Sequence, residues 1–236
     1  FESPTTHHKK GVIPMIYITG DIHGDIDIHK LSAKHWPIGN ALSRTDYLIV
    51  CGDFGLIWDD PDNVTAEEKY WLKWLSDKPW TTLFVDGNHE NHDRLAAYPV
   101  EEMFGGKVHR ITPNIIHLMR GEYYEIDGRT FWCMGGATST DRHNRIEGKS
   151  WWRNELPSIE EMNHGIDVLR AHNLKVDYII THCAPRNIQE ILAYWYENDG
   201  LTSFLNLVLQ DVEFKRWFCG HYHIDKEVNE KFVVVY

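Results

Sequence analysis

Five short polar motifs, each set directly behind an apolar run, constrain this chain more than anything else in it: Gly20-Asp21-Ile22-His23, Gly52-Asp53, Gly87-Asn88-His89-Glu90, Thr181-His182 and Gly220-His221-Tyr222-His223. The runs before them, at 15–19, 47–51, 82–85, 178–180 and 217–219, are rich in β-branched and aromatic residues and short enough for buried strands. In open α/β sheets, functional groups collect just beyond the carboxyl ends of strands. Polar residues more than a hundred positions apart in sequence can therefore meet in one place.

The segments between the motifs alternate in type. A short helix is expected over 27–35. Thr65-Ala66-Glu67-Glu68 matches a capping box, and Trp71, Leu72, Trp74 and Leu75 supply an apolar stripe at helical spacing. The middle third changes character, with strand-like runs at 115–118, 123–126 and 130–134, the last two joined by Asp127-Gly128 as in a hairpin. Ser158-Ile159-Glu160-Glu161 is a second capping box, followed by Met162, Ile166 and Leu169 on the face of Ile159. Helices over 187–197 and 202–209 and a last strand over 232–236 complete the reading. The class is α/β with mixed sheets, antiparallel material being appended to a parallel half. Residues 1–14, which include His7, His8, Lys9 and Lys10 without an apolar period, are expected to be a flexible leader, and 15–236 a single domain.

Composition narrows the partners. The 24 basic and 35 acidic residues give a formal charge of −11, which argues against broad nonspecific binding to nucleic acid or to an anionic membrane. No apolar run approaches the roughly eighteen residues needed to span a bilayer. The four cysteines, Cys51, Cys133, Cys183 and Cys219, form no CxxC pair and read as small buried hydrophobes in a reducing compartment. A cytoplasmic protein is the expectation.

Residues two apart in a strand-like segment point to the same side, so Asp21 with His23, and His221 with His223, make two chelating pairs. Asp53 offers a carboxylate able to bridge two cations, and Asn88 and His182 add an amide oxygen and an imidazole nitrogen. Such a mixed donor set suits manganese, iron, zinc, cobalt or nickel better than an all-oxygen magnesium or calcium cage. Gly20, Gly52, Gly87 and Gly220 stand between strand and ligand, where a sharp turn or close approach is easier without a Cβ. Taken singly, a Gly-Asp or a Thr-His is a turn or a satisfied polar residue. It is the ordered set of five that points to two metal ions. His7, His8, His29, His35, His164 and His172 lack this setting and read as surface or packing residues.

The ordered set Asp-x-His, Gly-Asp, Gly-Asn-His-Glu, His and Gly-His-x-His resembles the calcineurin-like metallophosphoesterase superfamily over residues 15–223. The resemblance implies a four-layer α/β/β/α sandwich with a dinuclear site at the carboxyl edge of its sheets. It implies that Asp21, His23 and His223 hold one metal, that Asn88, His182 and His221 hold the other, and that Asp53 bridges them. The cofactors are then two divalent ions, manganese first among them. A hydroxide between the two ions would attack phosphorus in line. His89, beside Asn88, is expected to contact the phosphate or protonate the leaving oxygen; the alternative is a structural histidine oriented by Glu90 or Asp86.

One departure bears on substrate. In the superfamily's serine/threonine phosphatases the second motif continues Gly-Asp-x-Val-Asp-Arg-Gly, whereas here it runs Gly52-Asp53-Phe54-Gly55-Leu56-Ile57-Trp58. The expected activity is hydrolysis of a phosphodiester or a small nucleotide-like phosphomonoester. Protein phosphatase and nuclease activities are the alternatives within the superfamily, and a noncatalytic scaffold is the alternative outside it. The stretch 135–145 followed by Trp151-Trp152-Arg153 reads as a long loop, with Arg142, His143, Arg145 and Arg153 available to a phosphate and Trp151 or Trp152 to a base. Its alternative is tryptophans packing the loop onto the body.

Overall fold

The computed structural model describes residues 14–236; the expected leader lies, Pro14 apart, outside the described residues. Its first half is β1 (Ile16–Thr19), β2 (Tyr47–Cys51), α1 (Ala66–Ser76), β3 (Thr81–Val85), α2 (His92–Ala96), β4 (Val100–Met103), β5 (Gly106–Thr112) and β6 (Ile115–Leu118). The second half is β7 (Tyr123–Ile126), β8 (Arg129–Met134), α3 (Ile159–Ala171), β9 (Tyr178–Thr181), α4 (Arg186–Leu192), α5 (Gly200–Asp211), β10 (Arg216–Cys219), β11 (Lys226–Glu227) and β12 (Phe232–Val234).

The strands form two six-stranded sheets, ordered β1-β2-β3-β6-β5-β4 and β11-β12-β10-β9-β8-β7. In the first sheet β1, β2, β3 and β6 run parallel and β5 and β4 antiparallel. In the second, β12, β10, β9 and β8 are parallel, flanked by antiparallel β11 and β7.

Side-chain alternation along the strands builds the layers. Ile49 and Cys51 of β2 face inward and pack with Cys133 of β8 and Ile180 of β9 between the sheets. Leu48 and Val50 face outward onto Leu75 of α1 and Leu95 of α2. On the other side, Ile179 and Trp217 pack under Leu169 of α3 and Leu205 of α5. Helix, sheet, sheet and helix give the four-layer sandwich expected. Burial on both faces explains why the parallel strands read as unbroken apolar runs.

Local chemistry sets the ends of several elements. The Ser158 capping box is complete, with Ser158 accepting from the Glu161 amide and Glu161 reaching back to the Ser158 amide. The Thr65 box is only half made. Thr65 caps the Glu68 amide, but the Glu68 carboxylate is taken by the amides of Trp58 and Asp59 and by Arg94 at 2.6 Å. Asp127-Gly128 turns β7 into β8 with both residues at positive φ. Phe104-Gly105, also at positive φ, does the same between β4 and β5, a hairpin without a sequence signal because its edge strand β4, Val-Glu-Glu-Met, carries two adjacent acidic residues and no apolar run.

Four expected elements are shorter or shifted, among them the last strand, which ends at Val234 rather than at 236. The helix over 27–35 is a single 3-10 turn, Ile28–Leu31, and α4 ends at Leu192 rather than running to 197. The helix expected at 202 begins at Gly200, because Asp199 caps it in a reciprocal bond with Thr202.

Candidate metal centre and its flanking cavities

All five motifs arrive at one end of the sandwich, but not by the strand alternation that the spacing suggested. Strand β1 ends at Thr19 and β10 at Cys219, so the chelating pairs lie in turns beyond the sheet. His23, Asp53, His221 and His223 adopt φ values of +41°, +45°, +71° and +51°, in the left-handed region that non-glycine residues rarely occupy. The tight turns needed to converge the ligands are thus carried by the ligands themselves, and such strain persists where function requires it. Among the neighbouring glycines Gly52, at φ +89°, shares in these turns, whereas Gly87 and Gly220 serve close approach. A Cβ on Gly87 would overlap the Asp53 carboxylate and amide, and one on Gly220 would overlap the Asp21 carboxylate.

Ligand atoms of Asp21, His23, Asp53 and His223 all lie within 4.8 Å of one another. The Asp53 carboxylate spans the centre, with Oδ2 3.1 Å from Nε2 of His23 and Oδ1 3.2 Å from Nε2 of His182. His223 Nε2 lies 3.2 Å from Asp21 Oδ2, and Asp21 also accepts the His221 amide at 3.0 Å. The His221 ring sits 4.9 Å from that of His182. Every residue expected to hold metal is therefore at this centre.

The donor set fits a divalent cation. His182 Nδ1 donates to the Cys51 carbonyl at 2.8 Å, so the neutral ring presents the lone pair of Nε2 to Asn88 Oδ1 and Asp53 Oδ1, each 3.2 Å away. Three acceptors then face one another, and only a proton or a cation reconciles them. Left to protons alone, burial works against charge on His182, but the Asp53 and Asp21 carboxylates outweigh it and push the ring up to about 10. Burial likewise opposes ionisation of Asp53, yet His182 and His23 hold it well below the usual carboxylate range. The centre is built around positive charge.

Surrounding groups fix these side chains. Asp27 Oδ2 holds His23 Nδ1 at 2.7 Å. Lys30 donates to the carbonyl of Asp21 at 2.6 Å. Glu90 accepts from the amides of Phe54 and Gly87, tying the second motif to the third; burial and nearby Asp53 push its carboxyl well above the ordinary range. Asp86, just before Gly87, pairs with Arg120 and with His117 at 3.1 Å. The sequence pattern marks neither Asp27 nor Arg120 and offers Asp86 only as a partner of His89, since their actual partners lie on other elements or in irregular turns.

His89 is placed by its own amide, which donates to Asp53 Oδ1 at 2.8 Å. Its ring lies 5.1 Å from that of His23 and stacks against Trp58 at 5.9 Å. Among the described residues no hydrogen bond joins the His89 ring to Glu90, whose Oε1 takes the amides of Phe54 and Gly87, or to Asp86, which pairs with Arg120. Burial, then the nearby cationic groups His23 and Arg145, push His89 down despite the opposing Asp53 charge.

Two cavities adjoin the centre. One of about 360 Å³ shares His23 and His89 and is walled by Trp58, Trp71, Asp25 and Glu67. The other, about 680 Å³, shares His221 and contains Arg142 and His143 together with Tyr196 and Trp195. Arg142 pairs with Glu197 at 3.1 Å, whereas Arg145 forks onto Asp141 at 2.7 and 2.8 Å. Trp152 is buried with its ring 5.3 Å from that of Trp58, and Arg153 pairs with Glu147. That tryptophan packs the loop onto the body and is not free to stack on a base.

Comparison with known proteins agrees with the geometry. Residues 14–225 match the family model described as calcineurin-like phosphoesterase. Lariat debranching enzymes of Danio rerio and Homo sapiens are each 24% identical over 89% of this chain, covering 40% and 42% of their own lengths. That of Schizosaccharomyces pombe is 27% identical over 73% of this chain and 37% of its own length. The chain spans about two fifths of the length of the curated relatives it matches.

Proposed function

Because the chain belongs to the calcineurin-like phosphoesterase family, we propose that it hydrolyses a phosphodiester or a small nucleotide-like phosphomonoester with two divalent metal ions, manganese first among the candidates. The observation that carries this reading is the Asp53 carboxylate, which offers one oxygen to the His23 side of the centre and one to the His182 side. Asp21, His23 and His223 would hold one ion and Asn88, His182 and His221 the other, with Asp53 between them. When bound, the ions would supply Lewis-acid polarisation of the phosphate and a nucleophilic water at neutral pH.

The chain's own residues do the rest. Asp27 and the Cys51 carbonyl hold His23 and His182 in the tautomers that aim Nε2 inward. The His89 ring, kept neutral by burial, retains one N–H with which to meet a phosphate oxygen. An arriving phosphate anion raises its proton affinity, so the ring can take up a second proton from solvent and pass it to the leaving oxygen, returning to the neutral form. Trp58, braced edge-on by Trp152, stacks against the His89 ring and limits its orientation. Arg142 and His143 stand in the cavity beside His221, where a charged or polar substrate arm would extend. Arg145, committed to Asp141, acts on the site through its charge. A cytoplasmic setting is part of the proposal, supported by four buried, unpaired cysteines.

Chelated protein should lose hydrolysis of bis(4-nitrophenyl) phosphate and regain it on adding manganese. Absence of turnover of this diester and of 4-nitrophenyl phosphate across manganese, iron, zinc, cobalt and nickel would overturn the reading; absence of metal uptake as well would leave a noncatalytic scaffold. A second reading, debranching of a lariat, is favoured by the relatives' name. The acidic wall of Asp25 and Glu67 beside His89 opposes it, because a polyanion would have to pass there. Cleavage of a branched oligonucleotide in preference to the small diester would establish that alternative.

A further inference from the structure

Three consecutive aromatic residues, Tyr194, Trp195 and Tyr196, follow α4, and the last two line the larger cavity. Tyr194 is 80% and Trp195 68% exposed, with rings 5.1 Å apart, an unusual display of aromatic surface beside a polar centre. Tyr196 is half-buried, and its ring lies 5.1 Å edge-on to that of His221. Among the described residues its hydroxyl has no hydrogen-bond partner, whereas Gln189 is engaged with Tyr222 and the Glu197 carbonyl, Thr138 with Asp199, and Ser139 with Glu155. The cavity therefore offers a stacking face at its mouth and one free hydroxyl beside His221.

We propose that this cavity is the subsite for a planar, nucleobase-like arm of the substrate, with Trp195 stacking on the ring and the Tyr196 hydroxyl positioning the sugar or phosphate against the metal centre. The proposal rests on the phosphoesterase reading and names its substrate class. Size agrees, since about 680 Å³ lies within the range of cavities that enclose compact organic ligands. Charge agrees as well: Arg142 is paired with Glu197 and Asp199 lies in the same lining, so the cavity has no net positive pull toward a polyphosphate. A ring held by stacking needs no such pull, because every base has a π-face and truncating its aromatic partner weakens binding by about tenfold. The platform that sequence placed at Trp151 and Trp152 is supplied by Trp195, in a segment expected to be helical.

The test separates binding from turnover. Calorimetric titration of the chelated protein with adenosine should show saturable binding, with methyl riboside at least tenfold weaker and adenosine about tenfold weaker for Trp195→Ala. Trp195 is exposed, so its truncation leaves the fold in place. With manganese restored, adenosine 5′-(methyl phosphate) should exceed the corresponding ribose ester in kcat/KM by about tenfold. That ratio should fall toward one in Trp195→Ala, and Tyr196→Phe should lower kcat/KM for both esters. Equal binding of adenosine and methyl riboside, or an unchanged preference in Trp195→Ala, overturns the subsite even if bis(4-nitrophenyl) phosphate is hydrolysed. Discriminating adenosine binding without hydrolysis of any ester keeps the nucleobase cavity and removes the phosphoesterase reading.

Discussion

Asp27 Oδ2 lies 2.7 Å from Nδ1 of His23, four residues before it, and this contact leaves Nε2 as the atom turned toward Asp53. A carboxylate behind a ligating imidazole fixes the ring and raises its basicity. Asp27→Asn should therefore weaken metal binding by about 10–100-fold, read by competition with a chromophoric chelator. Wild-type affinity in the variant would reduce Asp27 to a surface carboxylate.

His89 is held beside the centre by its amide rather than by its ring. Replacing the ring should spare the metal site: His89→Ala is expected to retain its metal content while kcat falls by about 100-fold or more. Elemental analysis and steady-state rates decide the matter together. Loss of metal would make His89 a ligand, and full activity would remove it from catalysis.

Gly87 has no room for a methyl group, because a Cβ would strike the Asp53 carboxylate and amide, whereas Gly200 at the start of α5 faces open space. Gly87→Ala should cost about 1–3 kcal/mol and displace Asp53, lowering metal occupancy. Gly200→Ala should be neutral or slightly stabilising. Denaturant midpoints of the two variants with and without metal supply the comparison; an unperturbed Gly87→Ala would show that this approach can relax.

Acid should unfold the metal-free protein earlier than its surface would suggest. Burial, and then Arg120, depress His92 to about 3 from an ordinary 6.5. The native state thus refuses a proton that the unfolded chain accepts, so this contribution is complete above pH 6.5 and is lost as pH falls toward 3. Each unit of such depression corresponds to about 1.4 kcal/mol. Asp86 adds to the same trend at lower pH: burial opposes its charge, but Arg120 and His117 hold it far below 3.8, so its contribution is lost only below that value. Urea unfolding of chelated protein from pH 7.5 to 4.5 should show a steep loss that His92→Asn flattens. An equal slope in wild type and variant would exclude His92 as the cause.

Much of the architecture was legible because burial imposes composition. Strands covered on both faces must be apolar throughout, and β2, β3, β9 and β10 announce themselves that way. The hairpin at Asp127-Gly128 was legible because its turn demands positive φ. The hairpin of β4 and β5 was not, since only three of its eleven residues are buried and its strands therefore carry no apolar run. The Thr65 capping box was read too locally, because Glu68 finds a better partner in Arg94 and the loop at Trp58.

At the site, sequence alone determined the kinds of ligand, their order and their place behind apolar runs, since these follow from strand burial and donor chemistry. It did not determine how they meet. The left-handed turns at His23, Asp53, His221 and His223 bring the ligands together, and Asp27, Arg120 and Tyr196 stand around them only in the tertiary structure. The physical reason is range. The His221 amide and the Asp21 carboxylate are 200 residues apart, and such a contact is fixed by sheet register and packing, which leave no local signature in the chain.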